Sequence, residues 1–454
     1  MNRGKHSRRD FLKTGGAVLA SGMAVPYFVS GVTARGAEAK SDKLLVASIG
    51  VGGRGTDIGL QAADLGNVIA CADVNLEHAG KFSKKVGKKG GNCQVYQDYR
   101  KVLDRKDVQA VTIGTPDHWH IKVALDAMSA GKDVYCEKPL TLTIDESRII
   151  CDAVKRSDRV FQVGTQQRSE FGRAFLEAVA IVRSGRLGKK IEATAMIGHA
   201  PKPERFAKAT PPKDLDWDFW LGQAPTVAYC PNRADFNFRW WFDYSGGQVT
   251  DWGAHHTDIS LWALGGETTG PSEIEGKGEF PLGRELTRDY LLGKKSIADL
   301  PNGYNVAQAF DCKITLPNGN TIQLSSSGNE DILFVGEKGR IAVNRGGIRG
   351  KFVKALKASP ADKKWLDEEV VKLYRGMRLK GHMANFFDCV KTRAMPISDV
   401  FTHCVAINTC HSVNIAMLLG RKLRWSQEQY AFLNDDEANQ MTRRKQRAPY
   451  AVEG

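Results

Sequence analysis

The sequence predicts an α/β protein in two parts, an open parallel sheet flanked by helices over residues 42–165 and a second, larger part over residues 166–454. Three observations carry this expectation. A length of 454 residues exceeds what one ordinary core accommodates. Through the first part, short apolar runs alternate with helix-length segments, the pattern of repeated βαβ units. A glycine-rich turn joins the first of those runs to the first helix.

The first run, residues 44–49, is short and apolar, as a buried parallel strand requires. It leads into Gly50-Val51-Gly52-Gly53-Arg54-Gly55 and then a helix-like segment over 57–65. An isolated Gly-x-Gly-x-x-Gly is as compatible with an ordinary tight turn as with ligand binding. Here Gly50, Gly52 and Gly55 fall where strand becomes helix, so the chain can turn sharply, approach a pyrophosphate and aim a helix N-terminus at it. A second apolar run, 68–72, ends in Asp73, positioned to accept the adenosine ribose hydroxyls. That favours NAD over NADP. Arg54 keeps NADP open, because a guanidinium in the glycine loop can pair with a 2′-phosphate.

A third strand, 110–114, leads to Thr115-Pro116-Asp117-His118-Trp119-His120, and a fourth, 133–136, to Glu137-Lys138-Pro139-Leu140. Both motifs sit at the C-terminal ends of strands, where open α/β sheets gather their ligands. Taken singly, each reads equally well as an ordinary loop.

Ahead of all this, Ser7-Arg8-Arg9-Asp10-Phe11-Leu12-Lys13 precedes a weakly apolar stretch rich in Gly and Ala. The order of basic, apolar and small-residue regions over 1–39 is that of a secretory signal, and the paired arginines resemble the twin-arginine type. Cleavage after Ala34 or Ala39 is expected, with an uncleaved anchor as the competing reading. Export by that route places the mature protein in the periplasm or another extracytoplasmic space. Nine cysteines lack the paired short spacings of zinc sites or disulfide scaffolds, so they read as reduced and buried, consistent with folding before export. The net charge of +14 lies partly in the leader. The clusters Lys84-Lys85, Lys88-Lys89 and Arg443-Arg444-Lys445 read as solvated faces, and without a recognition motif nucleic acid is excluded as a partner.

Together, the glycine loop, Thr-Pro-Asp-His-Trp-His and Glu-Lys-Pro resemble the Gfo/Idh/MocA family, and a further element of that family recurs as Gly246-Gly247-Gln248-Val249-Thr250-Asp251-Trp252-Gly253-Ala254-His255-His256. The resemblance implies a Rossmann domain followed by a domain with a large, mostly antiparallel open sheet, and a homodimer or homotetramer. It implies the catalytic set Lys138, Asp251 and His255, and a Lys138-Pro139 bond that is often cis. It also places Thr115, Pro116, His118, Trp119 and His120 around the nicotinamide, with Gly50, Gly52, Gly53, Arg54, Gly55, Asp73, Glu137 and Lys138 completing the cofactor site.

Those residue types suit oxidation of a secondary alcohol, in which hydride leaves carbon while a base takes the hydroxyl proton. His255 is the expected base. Four residues apart on a helix, Asp251 can orient that imidazole or hold a substrate hydroxyl. Lys138 supplies positive charge beside the developing alkoxide. Two other readings compete: Asp251 as a helix cap with buried histidines behind it, and a metal site drawn from Asp251, His255, His256, His118, His120 and Glu137, whose spacing matches no metal motif.

Gln167 and Arg168, in the crossing segment 163–168, are expected to reach substrate, as are Arg239, Trp240 and His256. Aromatics cluster at 217–220 and 238–242, where an exposed ring can stack on a sugar. Residues 313–316 and 321–324 read as a hairpin closed by Pro317-Asn318-Gly319-Asn320, and 381–419 as helix broken at Pro396. The expected activity is hydride transfer to or from a secondary hydroxyl of a sugar or polyol. An exported enzyme must carry its cofactor, and retention for hours at an association rate of about 10⁶ per molar per second needs a Kd of roughly 0.1 nM. A bound redox group with no net turnover keeps open a glycosidase acting by transient oxidation and elimination, and a non-catalytic sugar-binding protein is a third reading.

Overall fold

The computed structural model describes residues 43–202 and 204–452. The signal expected over residues 1–39, with its paired arginines, lies outside the described residues. Six strands form the first sheet: β1 (Leu45–Ile49), β2 (Asn67–Ala72), β3 (Gln94–Tyr96), β4 (Ala110–Ile113), β5 (Asp133–Cys136) and β6 (Phe161–Val163). They run parallel in the order β3-β2-β1-β4-β5-β6. Both β4 and β5 are buried at every residue, as a sheet covered on both faces demands. The covering helices are α1 (Gly53–Leu65), α2 (Leu76–Lys88), α3 (Tyr99–Leu103), α4 (Asp117–Ser129) and α5 (Ile144–Arg156). Their ends follow local rules. At α5, the Thr143 hydroxyl accepts from the Glu146 N–H at 3.4 Å, Asp145 and Glu146 fill the first turn, and Lys155 and Arg156 fill the last.

Strand order reverses between β1 and β4, and the crevice outside that reversal is where a doubly wound sheet takes a ligand.

After β6 two tight turns, Gln166–Arg168 and Phe171–Arg173, lead to α6 (Ala174–Arg183), β7 (Ile191–Met196), α7 (Trp217–Leu221), α8 (Gln248–Asp251) and α9 (Gly253–Leu264). The remaining strands are β8 (Glu273–Glu279), β9 (Ala309–Thr315), β10 (Thr321–Ser325), β11 (Asp331–Gly336), β12 (Gly339–Asn344), β13 (Gly347–Arg349), β14 (Leu423–Ser426) and β15 (Ala431–Phe432). With β7 they make a nine-stranded sheet, β13-β12-β11-β7-β10-β9-β8-β14-β15, antiparallel except where β7 pairs with β10. The expected hairpin is present: Ile314 faces Ile322, and Gly319 turns the chain at φ +83°. Along β9, Phe310, Cys312 and Ile314 point inward while Asp311 and Lys313 face solvent, so this sheet has one covered and one open face. The covered face lies under α6, α9 and the helix Val400–Leu419. Every residue of α9 is buried, which explains why its sequence is apolar around most of the helix.

The second part is therefore helical where expected, at His382–Thr392 and Val400–Leu419. All nine cysteines are free and buried. The reading of Arg443-Arg444-Lys445 as a solvated face fails at Arg444, which tucks half-buried over the Phe242 ring at 5.7 Å.

Candidate active site

A cleft of about 830 Å³ opens at the strand reversal and is lined from both parts of the chain. Its floor is the glycine turn. Gly50 adopts φ +71°, and a Cβ there would stand 2.5 Å from the Thr115 backbone nitrogen. A Cβ on Gly55 would lie 1.7 Å from the Gly50 carbonyl oxygen. Only glycine allows β1, α1 and the end of β4 to approach this closely. Gly52, Gly53 and Arg54 line the cleft at the α1 N-terminus, where backbone N–H groups lack intrahelical acceptors. Gly55 serves the packing beneath them.

Asp73 closes one end. Its Oδ2 accepts from the Val51 N–H at 2.8 Å and its Oδ1 from the Asn75 N–H at 2.9 Å, which fixes the carboxylate at the cleft wall with lone pairs left for hydroxyl donors. Arg54 does not compete there. Its Nε donates to Glu137 Oε1 at 3.0 Å, so its charge is already matched by a carboxylate. Turn, helix end and Asp73 together fit an adenine dinucleotide with a free ribose diol.

At the other end Lys138, carried by the cis Lys138-Pro139 segment after β5, meets Asp251. Its ammonium donates to Asp251 Oδ1 at 2.5 Å and to the Asp251 carbonyl at 3.1 Å. That carbonyl is available because the helical ladder breaks between α8 and α9, where the His255 N–H bonds Trp252 O at 3.0 Å rather than Asp251 O. Arg239 Nε stands 3.3 Å from the second carboxylate oxygen. Burial pushes the Asp251 carboxyl upward, but Lys138 and Arg239 outweigh it and hold it below its ordinary value. The expectation that Asp251 orients His255 is thus overturned: the carboxylate is committed to two cations.

His255 lines the same cleft, and its Nδ1 is buried with no hydrogen-bond partner among the described residues. Burial first, then the charges of Lys138 and Arg345, hold this imidazole well below its ordinary pKa, so it is neutral at physiological pH. Asp117, the first residue of α4, lies beside them and accepts from Ser245 Oγ at 2.5 Å. Burial raises its carboxyl to about 7.

Several expected residues occupy other places. Thr115, Pro116, Trp119 and His120 line the cleft, whereas His118 turns into the core, its Nε2 3.0 Å from Trp220 O. Two positions apart on α4 point to nearly opposite sides, so His118 and His120 cannot both face a ligand. Even His120 spends its nitrogens on structure, with Nδ1 2.7 Å from Pro139 O and Nε2 2.9 Å from Thr115 O, tying the two strand-end motifs together. Trp119 likewise donates to Trp220 O at 2.9 Å. Gln167 is buried away from the cleft, and it is Gln166 that lines it, donating to Glu137 Oε1 at 2.8 Å. Arg168 is a core residue, paired with Asp258 at 2.6 and 2.8 Å and bonded to Ile397 O. Trp240 and His256 are buried behind the wall, and Phe236 and Phe238 line it instead.

Sequence reasoning missed three groups. Asp117 stood inside a quoted motif. Arg345 comes from the β12–β13 turn, where no motif marks it. His403 accepts from the Leu140 N–H at 3.3 Å and so steadies the Lys138 segment from the far end of the chain. Among the described residues no set of three or more His, Cys, Asp or Glu side chains is arranged to hold a metal.

Comparison with known proteins agrees with this architecture. Residues 44–165 match the oxidoreductase family model described as an NAD-binding Rossmann fold, and 197–280 with 322–452 match that family's C-terminal alpha/beta domain. A glycosyl hydrolase family 109 protein of Shewanella pealeana is 31% identical over 76% of both chains. The inositol 2-dehydrogenase of Gluconacetobacter diazotrophicus is 32% identical over 34% of this chain and 47% of its own. The chain thus spans about half the length of some curated relatives it matches and about three quarters of others. Among solved structures, the WlbA dehydrogenase in complex with NADH and UDP-GlcNAcA superposes with a TM-score of 0.59 at 14% identity, covering 86% of this chain and 98% of that one, a likeness of fold. With models of both parts matched, the chain belongs to the Gfo/Idh/MocA oxidoreductase family.

Proposed function

We propose that the protein transfers hydride to or from a secondary hydroxyl of a sugar or polyol, with Lys138 and His255 acting on the reacting oxygen. One observation carries the reading: residues 113 positions apart, Lys138 and Asp251, join in one cleft with a neutral His255 and the glycine turn. A bound nicotinamide dinucleotide would supply the two-electron acceptor or donor. Gly52, Gly53 and the α1 N-terminus would hold its pyrophosphate, and Asp73 its ribose hydroxyls.

The chain's own groups do the proton work. An ammonium has three donors, and Asp251 takes two of those on Lys138, leaving one for the substrate oxygen. That charge stabilises the oxygen as it loses its proton to the neutral imidazole of His255. In reduction of a ketone the same proton returns from His255 to oxygen. Asp251 is a positioning residue, gripping the ammonium with carboxylate and carbonyl together.

We further propose export by the twin-arginine route, a cofactor retained through turnover, and a homodimer or homotetramer. Nine free, buried cysteines suit folding before export, and the open face of the nine-stranded sheet suits pairing between copies.

A second reading has its own support. The likeness to a glycosyl hydrolase family 109 protein covers three quarters of both chains, and Asp117 adds the further proton-handling group that an oxidation, elimination and re-reduction sequence needs. The purified protein, incubated with free sugars and with aryl glycosides, separates them. Reduced nicotinamide accumulating from free sugar supports the dehydrogenase, aglycone release without net reduction supports the hydrolase, and a nicotinamide that never changes state with either overturns both.

A further inference from the structure

Arg345 is the one cation of the cleft without a close anionic partner among the described residues. Arg54 is matched by Glu137, and Lys138 and Arg239 share Asp251. Arg345 has neither a carboxylate within 4.0 Å nor a side-chain hydrogen bond among the described residues, and the nearest opposing influence is Glu330, acting at longer range. Its position is nonetheless built. The guanidinium carbon lies 4.3 Å from the Trp252 ring centre and 5.0 Å from that of Phe171, so two aromatic rings hold it against the cleft. The rest of the side chain is open to solvent at the cleft, so an incoming anion can reach the guanidinium.

We propose that Arg345 receives an anionic group on the substrate, next to the reacting carbon, and that the substrate is therefore an acidic sugar bearing a carboxylate, sulfate or phosphate. A planar guanidinium presents paired donors that match such groups. The inference rests on the functional reading above and narrows its substrate class. The same chemistry has a second source, the pyrophosphate of the dinucleotide. Position favours the substrate: Arg345 rests on the ring of Trp252, the residue that follows Asp251, whose carboxylate holds Lys138.

Calorimetric titration of the cofactor-loaded protein with hexuronates, hexose sulfates and hexose phosphates, each beside its neutral hexose, tests this without requiring turnover. At least one acidic sugar is expected to bind tenfold or more tighter than its neutral counterpart. In Arg345→Gln that preference falls about 10- to 100-fold, and Arg345→Lys recovers part of it. Nicotinamide content and melting temperature, read on the same samples, stay at wild-type values. The proposal is overturned if no acidic sugar is preferred, if Arg345→Gln keeps the preference, or if the variant instead loses nicotinamide, which would assign the guanidinium to the pyrophosphate. Because binding is read, hydride transfer stands or falls separately on nicotinamide absorbance.

Discussion

Lys138 reaches into the break between two short helices and takes both the carboxylate and the backbone carbonyl of Asp251. The ammonium thus occupies the place of a helix N–H, so its position is set by backbone as well as by charge. Truncation to Lys138→Ala removes the charge beside the reacting oxygen while Arg239 still balances Asp251. Turnover is expected to fall by about 10²- to 10⁴-fold, with nicotinamide content unchanged. Single-turnover absorbance and the mass of the bound cofactor check both halves. Loss of cofactor in this variant would move Lys138 from chemistry to cofactor retention.

The pH dependence has an unexpected source. His255 is held well below its usual range, so it stays neutral through the mildly acidic region and adds no inflection near its ordinary value of 6.5. Asp117, raised by burial to about 7, titrates there instead. The pH profile of turnover should carry an inflection near neutrality that Asp117→Asn removes. Stability changes with it. Folded Asp117 keeps a proton between its ordinary 3.8 and about 7 that the unfolded chain has released, so this stabilisation is complete below pH 4 and lost as pH rises towards 7. Asp117→Asn should therefore gain on the wild type across that interval, by up to about 4 kcal/mol, as thermal melts at stepped pH would read.

Which parts of this site were legible in the sequence follows from periodicity. Strand-end motifs and the glycine turn are local, so Asp73 and the hairpin at Gly319 could be placed from spacing alone, whereas the role of Lys138 came from the family resemblance. Errors arose where a single turn decides direction. Gln166 and Gln167 differ by one step in a tight turn, and only the first enters the cleft. Asp251 and His255 are four apart, yet the ladder breaks at Trp252 and the pair never forms. Arg168 looked like a substrate ligand because polar residues at a crossing between sheets so often are, while its partner Asp258 lies 90 positions away. Arg345 carries no local signal at all. Its role appears only when the β12–β13 turn is folded over Trp252 and Phe171.

That reassignment of Arg168 is testable. The Arg168–Asp258 pair is almost wholly buried, so removing the cation leaves an uncompensated carboxylate in the core. Arg168→Leu should cost about 3–5 kcal/mol of stability. A double variant, Arg168→Leu with Asp258→Leu, should recover much of that loss, because two apolar side chains replace a desolvated pair. If Arg168 bound substrate, the double variant would be stable but unable to bind sugar. The structure predicts instead that it binds sugar as the wild type does, measured by the same calorimetry.

The glycine turn gives the sharpest test of the cofactor cradle. At Gly55 an added methyl would meet a backbone carbonyl at 1.7 Å, and no side-chain rotation can relieve a clash with main chain. Gly55→Ala must therefore push α1 away from β1 and spoil the alignment of its N-terminus with the cleft. At Gly53 a Cβ meets nothing within 4 Å, so the fold itself tolerates it, but Gly53 lines the cleft where the pyrophosphate would lie. Gly55→Ala should lower both melting temperature and nicotinamide content, whereas Gly53→Ala should leave melting of the cofactor-free protein unchanged and weaken nicotinamide retention alone. Equal retention in Gly53→Ala and wild type would mean that the dinucleotide does not approach this turn, and with it the placement of the redox group over Lys138 and His255 would fail.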